Sequence, residues 1–431
     1  MIDRSVFALC FVFLIGTSTL ADDRPAGSWP GWRGPLRNGM STETGLLTEW
    51  TDEGPPLVWK ATGLGEGYSS VAISRGTIYT MGFRRGKGDL IALSESDGRE
   101  KWSVPIGGSK PHSTPTLDGN HVFAIGLAGD LVCVEADSGQ EVWRKSLLKA
   151  FDGKTERQGG YSESLLVDGD RIICTPGTRE IVLAALHRKT GDVLWKTKVP
   201  ERKPAPDEKE PPNQPKQKDH SGYSSVVVST ACGVRQYVQL TGWGVISVRA
   251  EDGTPLWVYE RAANELANIT TPVVRGNYVF CSSAYETGAA LLELKPNGGG
   301  VRAEEVYFLD HKTLQNHHGG LVLIGDYIYG GHGHNNGFPL CVEFATGKVA
   351  WRPGRGPGTG SAAVVYADGH LYFRYENGVV ALIEATPEAY ALKGSFTPPS
   401  TIDKAWAHPV VAGGRLYLRD DDVLMCYEIK K

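Results

Sequence analysis

Asp97-Gly98-Arg99-Glu100-Lys101-Trp102 is a turn closed by glycine, then three residues, then a tryptophan. The phrase returns as Ser138-Gly139 with Trp143, Thr190-Gly191 with Trp195, Asp252-Gly253 with Trp257, and Thr346-Gly347 with Trp351. Each tryptophan stands four residues after its glycine. A fixed sub-motif at a period of roughly 40–50 residues signals a repeat architecture. The interval from Trp257 to Trp351 is about two such periods, so one repeat between them has lost its tryptophan.

Upstream of each tryptophan lies an apolar hairpin. Val71-Ala72-Ile73 and Ile78-Tyr79 flank Arg75-Gly76. Asp118-Gly119, Asp168-Gly169, Arg275-Gly276, Gly325-Asp326, Asp368-Gly369 and Gly413-Gly414 divide equivalent pairs of apolar runs. Apolar runs joined by Asp-Gly or Gly-Gly are strong hairpin signals, because glycine accepts the positive φ of a primed turn. A third strand such as Leu90-Ile91-Ala92-Leu93 follows, and the tryptophan lies on a fourth. Four antiparallel strands per repeat make one propeller blade.

Hairpins begin near Ser70, Ser113, Ser162, Ser224, Thr271, Gly319, Ser361 and Ala407, which predicts an all-β, eight-bladed β-propeller over residues 56–431. The last repeat stops at Tyr427-Glu428-Ile429, its third strand. Pro56-Leu57-Val58-Trp59-Lys60 supplies the missing fourth, so an N-terminal strand is expected to close the last blade and remove an open edge.

Net charge is −4 and charged residues make up 22% of the chain. No basic face argues for nucleic acid. Residues 1–21 read as a signal peptide, with Arg4, an apolar run from Val6 to Ile15, and small residues at Thr19-Leu20-Ala21. The protein is therefore expected to be exported to the periplasm or cell envelope, or secreted, without a transmembrane segment after signal removal. Six cysteines follow, Cys133, Cys174, Cys232, Cys281, Cys341 and Cys426. They fall in separate repeats, which favours free buried thiols over disulfides. Residues 22–55 form an N-terminal arm whose tryptophans are expected to pack on the propeller. Residues 200–219, rich in Pro, Lys, Glu and Gln, read as a disordered insertion between blades three and four.

Val342-Glu343-Phe344-Ala345-Thr346-Gly347-Lys348-Val349-Ala350-Trp351 resembles the tryptophan-docking repeat of quinoprotein dehydrogenases. The same PQQ-like repeat is found in non-enzymatic relatives, including the periplasmic lipoprotein that assists outer-membrane β-barrel assembly. The Trp29-Pro30-Gly31-Trp32-Arg33-Gly34-Pro35 arm, with Gly65-Glu66-Gly67-Tyr68-Ser69-Ser70, is similar to exported bacterial PQQ-repeat proteins. The enzymatic branch would imply PQQ with calcium and oxidation of alcohols or sugars. This chain departs from that branch: it has no vicinal cysteine pair and no CxxCH for a haem.

In a four-stranded blade the start of the inner strand and the second-to-third loop share one face, where loops carry function. Ligand-binding candidates there are His112, Tyr161, Glu163, Trp243, Trp406 and His408. Trp243 could stack on a ring, or only pack against the next blade. Blade six brings His317, His318, His332 and His334 to the same edge, four of the eleven histidines, and imidazoles are common ligands of zinc and similar metals. These residues support three readings. The first is a binding or scaffolding propeller taking a protein or small polar ligand on the channel-mouth face. The second is a PQQ-dependent oxidoreductase. The third is a metal-dependent enzyme or sugar-binding protein using the blade-six histidines.

Overall fold

The computed structural model describes residues 27–154, 160–201 and 221–431. The proposed signal segment and all but the first two residues of the proposed 200–219 insertion lie outside them. Among the described residues are eight antiparallel sheets of four strands each. Blades one to seven occupy residues 72–107, 116–146, 166–197, 227–259, 273–310, 321–351 and 362–396, and blade eight combines residues 410–428 with Leu57–Ala61. Leu57 pairs with Tyr427 and Ala61 with Leu424, so the N-terminal strand does close the ring. Strands are short and apolar, and alternate residues fill the layers between neighbouring blades.

The repeated phrase is a docking device. Trp102 donates its indole N–H to the carbonyl of Ala136 in the next blade at 3.1 Å. Trp143 does the same to Arg188 at 2.9 Å, and Trp59 to Glu95 at 3.1 Å. Each acceptor lies three residues before the motif glycine. That glycine lies under the ring: a Cβ on Gly139 would fall 2.8 Å from Trp102, and one on Gly191 2.8 Å from Trp143. Trp257 and Trp351 are buried, while Trp102, Trp143 and Trp195 keep one edge in solvent. Those three are therefore less enclosed than core tryptophans, because the blade rim leaves the outer edge of the indole uncovered.

The arm crosses the propeller at the ends of the inner strands. Trp29 bridges to Ile73 of blade one, Leu117 of blade two donates to the Pro30 carbonyl, and Arg37 donates to the carbonyls of Ser164 and Leu165 in blade three. Met40 bridges to Tyr366 of blade seven, and Glu43 accepts from the amides of Gly413 and Gly414 in blade eight. Trp32 reaches inward, donating to Thr271 Oγ1 at 3.1 Å and packing on His408 with ring centroids 4.4 Å apart. The arm thus crosses one end of the central channel, and the opposite end is the mouth. All six cysteines are free; five are buried and Cys232 is half-buried.

Candidate functional site

The mouth is built from residues just before the inner strands and from second-to-third loops. A chain of rings runs round it. His334 lies 4.4 Å from Tyr285 and 4.7 Å from His317 by ring centroid. His317 is 5.0 Å from His318, and His318 is 5.0 Å from Trp406. Trp406 is 4.8 Å from Tyr68, which is 5.1 Å from His112. Tyr285 and His334 present their rings from left-handed backbone, with φ of 54° and 53°. That conformation is uncommon for a tyrosine.

Hydrogen bonds hold part of this chain. His317 Nδ1 is 2.6 Å from Ser361 Oγ, His317 Nε2 is 3.0 Å from the Tyr285 hydroxyl, and Ser361 donates to Asn335 Oδ1 at 2.9 Å. The Ser361 hydroxyl proton is then spent on Asn335, so Nδ1 of His317 carries the proton toward Ser361 and Nε2 accepts from Tyr285. His112 Nδ1 is 3.1 Å from Ser162 Oγ. Other ring nitrogens have no hydrogen-bond partner although they are shielded from solvent: both nitrogens of His318, Nδ1 of His334 and Nε1 of Trp406.

Burial dominates the electrostatics. It pushes the imidazoles of His112 and His317 down to about 4, Lys110 adding to the first and His334 with Lys404 to the second. It holds His318 well below the ordinary imidazole value and lowers His334. Burial, with Asp403 beside it, raises the Tyr68 phenol to about 12. The ring chain is neutral at pH 7. Two rim lysines are paired, Lys404 with Glu376 at 3.7 Å and Lys110 with Glu66 at 2.5 Å. Such a site can stack on and hydrogen-bond to a polar partner. Its imidazoles are too weakly basic to serve well as general bases near neutrality.

The mouth brings together His112, His317, His318, His334 and Trp406, with Tyr68 and Tyr285. Other candidates lie elsewhere. Trp243 is 5% exposed and packs into the core between blades three and four, with Arg179 over its ring. Tyr161 is buried in the preceding core and donates to the Pro176 carbonyl. Glu163 is bonded to Thr175 inside the propeller. His408 lies one level below the mouth, its Nε2 donating to the His318 carbonyl at 3.0 Å while Trp32 covers its ring. The blade-six group divides at His332, whose Nδ1 accepts from the Gln315 amide. His332 ends a strand opposite Phe338, whereas His334 lies beyond it in the loop. Among the described residues no three His, Cys, Asp or Glu side chains are grouped to hold a metal ion.

PQQ is a planar tricarboxylate and calls for cations facing the mouth. The rim lysines Lys404 and Lys110 are paired, and the buried Arg374 and Arg419 donate to the carbonyls of Ala407 and Gly65, with Nε and Nη2 of Arg374 left without a hydrogen-bond partner. Asp421 and Asp422 accept from the amides of Gly67, Gly63 and Gly65. Among the described residues no three carboxylate, imidazole or thiol groups gather into a calcium cage. Sequence reasoning also missed these buried arginines. Their one signal was a charge inside an apolar strand, as in Leu371-Tyr372-Phe373-Arg374-Tyr375.

The fold has known counterparts. The quinohemoprotein alcohol dehydrogenase of Comamonas testosteroni superposes with a TM-score of 0.63 at 11% identity, over 93% of this chain and 80% of that one. The computationally designed Ika8 protein superposes with a TM-score of 0.60 at 9% identity, over 87% of this chain and all of that one. At these identities the likeness is one of fold. In sequence, the outer membrane protein assembly factor BamB of Kangiella koreensis is 27% identical over 137 residues, 30% of this chain and 31% of that protein. The family profile PQQ_2, described as outer membrane protein assembly factor BamB, matches residues 86–353. Spanning more than half the sequence, with blades two to six complete and the later half of blade one, that match makes this chain a member of the PQQ_2, BamB-type family of PQQ-repeat propellers.

Proposed function

We propose that this protein is an exported binding or scaffolding propeller of the periplasm or cell envelope, and that it docks a protein partner on its channel-mouth face. The observation that carries this reading is the neutral ring chain from His334 to His112, with unsatisfied ring nitrogens on His318, His334 and Trp406. Interfaces are enriched in aromatic side chains whose polar tips seek partners. Family membership supports outer-membrane protein assembly as a setting. No helix among the described residues is long and apolar enough to cross a membrane.

Photocrosslinking tests the reading. A benzophenone amino acid replaces Tyr285 at the mouth or the exposed Leu36 on the arm face. A discrete protein adduct from position 285 that is lost in His318→Ala supports it. Adducts from position 36 with none from 285 would move the interface to the other face.

A further inference from the structure

Arg33 is a buried cation with no counter-charge among the described residues. Its side chain enters the end of the channel that the arm crosses, and Nη2 donates to the carbonyls of Asn38, at 3.0 Å, and Leu321. Nη1 has no hydrogen-bond partner. Arg33 is 4% exposed, and no carboxylate pairs with it among the described residues. Arg37, of the same sign, is close enough for the two guanidinium charges to be felt. Burial lowers the guanidinium only to about 10, so it stays charged at neutral pH. A buried charge left without compensation is strongly unfavourable.

A cavity of about 10 Å3 adjoins it, lined by Arg33, Thr114, Ser70, His408, Trp29 and Trp32. The Thr114 hydroxyl is a second shielded donor without a partner. A space of this size admits one small particle, a water or at most a monatomic ion, and excludes phosphate, sulfate or an organic acid. Water could accept both hydrogen bonds, but would leave the charge uncompensated. A halide accepts both and neutralises the guanidinium, while the aromatic edges of Trp29 and Trp32 supply an apolar wall. We propose that this cavity is a chloride site, held by Arg33 Nη1 and Thr114 Oγ1, which fastens the N-terminal arm into the channel.

The test uses the full-length protein. Thermal unfolding is followed in sodium chloride and in sodium gluconate at one ionic strength, with gluconate too large for the cavity. Chloride should raise Tm by roughly 1–3 °C per tenfold increase above its Kd, as expected for a ligand that binds only the folded state. Thr114→Val should weaken that dependence and Arg33→Met abolish it, whatever either does to absolute stability. Crystals grown in bromide should show anomalous density in the cavity of the wild-type protein, a readout that stands even where Arg33→Met does not fold. Equal Tm in chloride and gluconate, or a cavity holding only water in bromide crystals, would overturn the proposal.

Discussion

Tyr307 stands in for a tryptophan against Gly347: a Cβ on that glycine would fall 2.8 Å from the tyrosine ring. Its hydroxyl donates to the Phe344 carbonyl at 2.7 Å, three residues before the glycine, where an indole N–H donates in other blades. Blade five therefore keeps the inter-blade dock with a different side chain. The sequence phrase could not show this. The strand Gly300–Asp310 is long, its turn glycines stand well ahead of the tyrosine, and the four-residue offset is broken.

The dock predicts a paired pattern of damage. Trp102→Ala should cost about 2–4 kcal/mol, somewhat below the range for a fully buried large aromatic because one edge is in solvent. Tyr307→Trp should be tolerated and Tyr307→Ala should not. Gly347→Val should destabilise through both the contact and its φ of 74°. Urea unfolding of the four variants checks this; a Tyr307→Ala protein as stable as the parent would refute the substitution of roles.

Closure predicts the effect of truncation. Removing residues up to 55 deletes the arm but keeps Leu57–Ala61 on blade eight. Removing residues up to 61 also leaves Val423–Glu428 as an unpaired edge. The shorter truncation should lower Tm and the longer one should abolish the cooperative transition or cause association. Calorimetry of both should rank them in that order, and a long truncation melting like the full chain would contradict the ring.

Periodicity made the fold legible because glycine turns and apolar alternation are local signals. Blade count and closure followed from where strands were missing. The mouth was legible only in part. His317, His318 and Trp406 could be placed from their position before inner strands, but His332 and His334 differ in strand and loop placement, which two-residue spacing cannot reveal. Arg33 was invisible as a site residue. In sequence it sits in a glycine- and proline-rich arm and reads as solvated, and only the path of that arm across the channel buries it.

Acid should loosen the mouth. The imidazoles of His112 and His317 titrate near 4 when folded, against an ordinary value of 6.5. As pH falls below about 6.5 the unfolded chain takes up protons that the folded protein refuses, so stability present above that pH is lost progressively down to about 4. His317→Asn should flatten the slope of Tm against pH between 4 and 6.5. An unchanged slope would mean that His317 is protonated in the folded state.

Glu163 should act in the opposite direction. The Thr175 amide donates to its Oε1 at 2.7 Å, while Thr175 Oγ1 meets both Glu163 Oε2 and Gln239 Oε1. One hydroxyl proton cannot serve two acceptors. The Gln239 amide nitrogen is committed to the Ser224 carbonyl at 2.8 Å, which fixes its oxygen toward Thr175. The remaining bond is then made by a proton on Glu163, which donates to Thr175 Oγ1. Burial agrees, raising the carboxyl to about 7 against the smaller opposing pull of the Thr175 bonds and Arg37. Below an unfolded value of about 4.5 both states are protonated. As pH rises to 7 and beyond, the unfolded chain ionises first, and the folded state loses about 3 kcal/mol from this group. Glu163→Gln keeps the shape, an acceptor for the Thr175 amide and a donor for its hydroxyl, without the titration. The variant should match the parent near pH 4.5 and exceed it by about that amount at pH 8. Chemical denaturation of the two proteins across this range measures the difference directly, and a difference that does not change with pH would show that Glu163 is ionised in the folded protein.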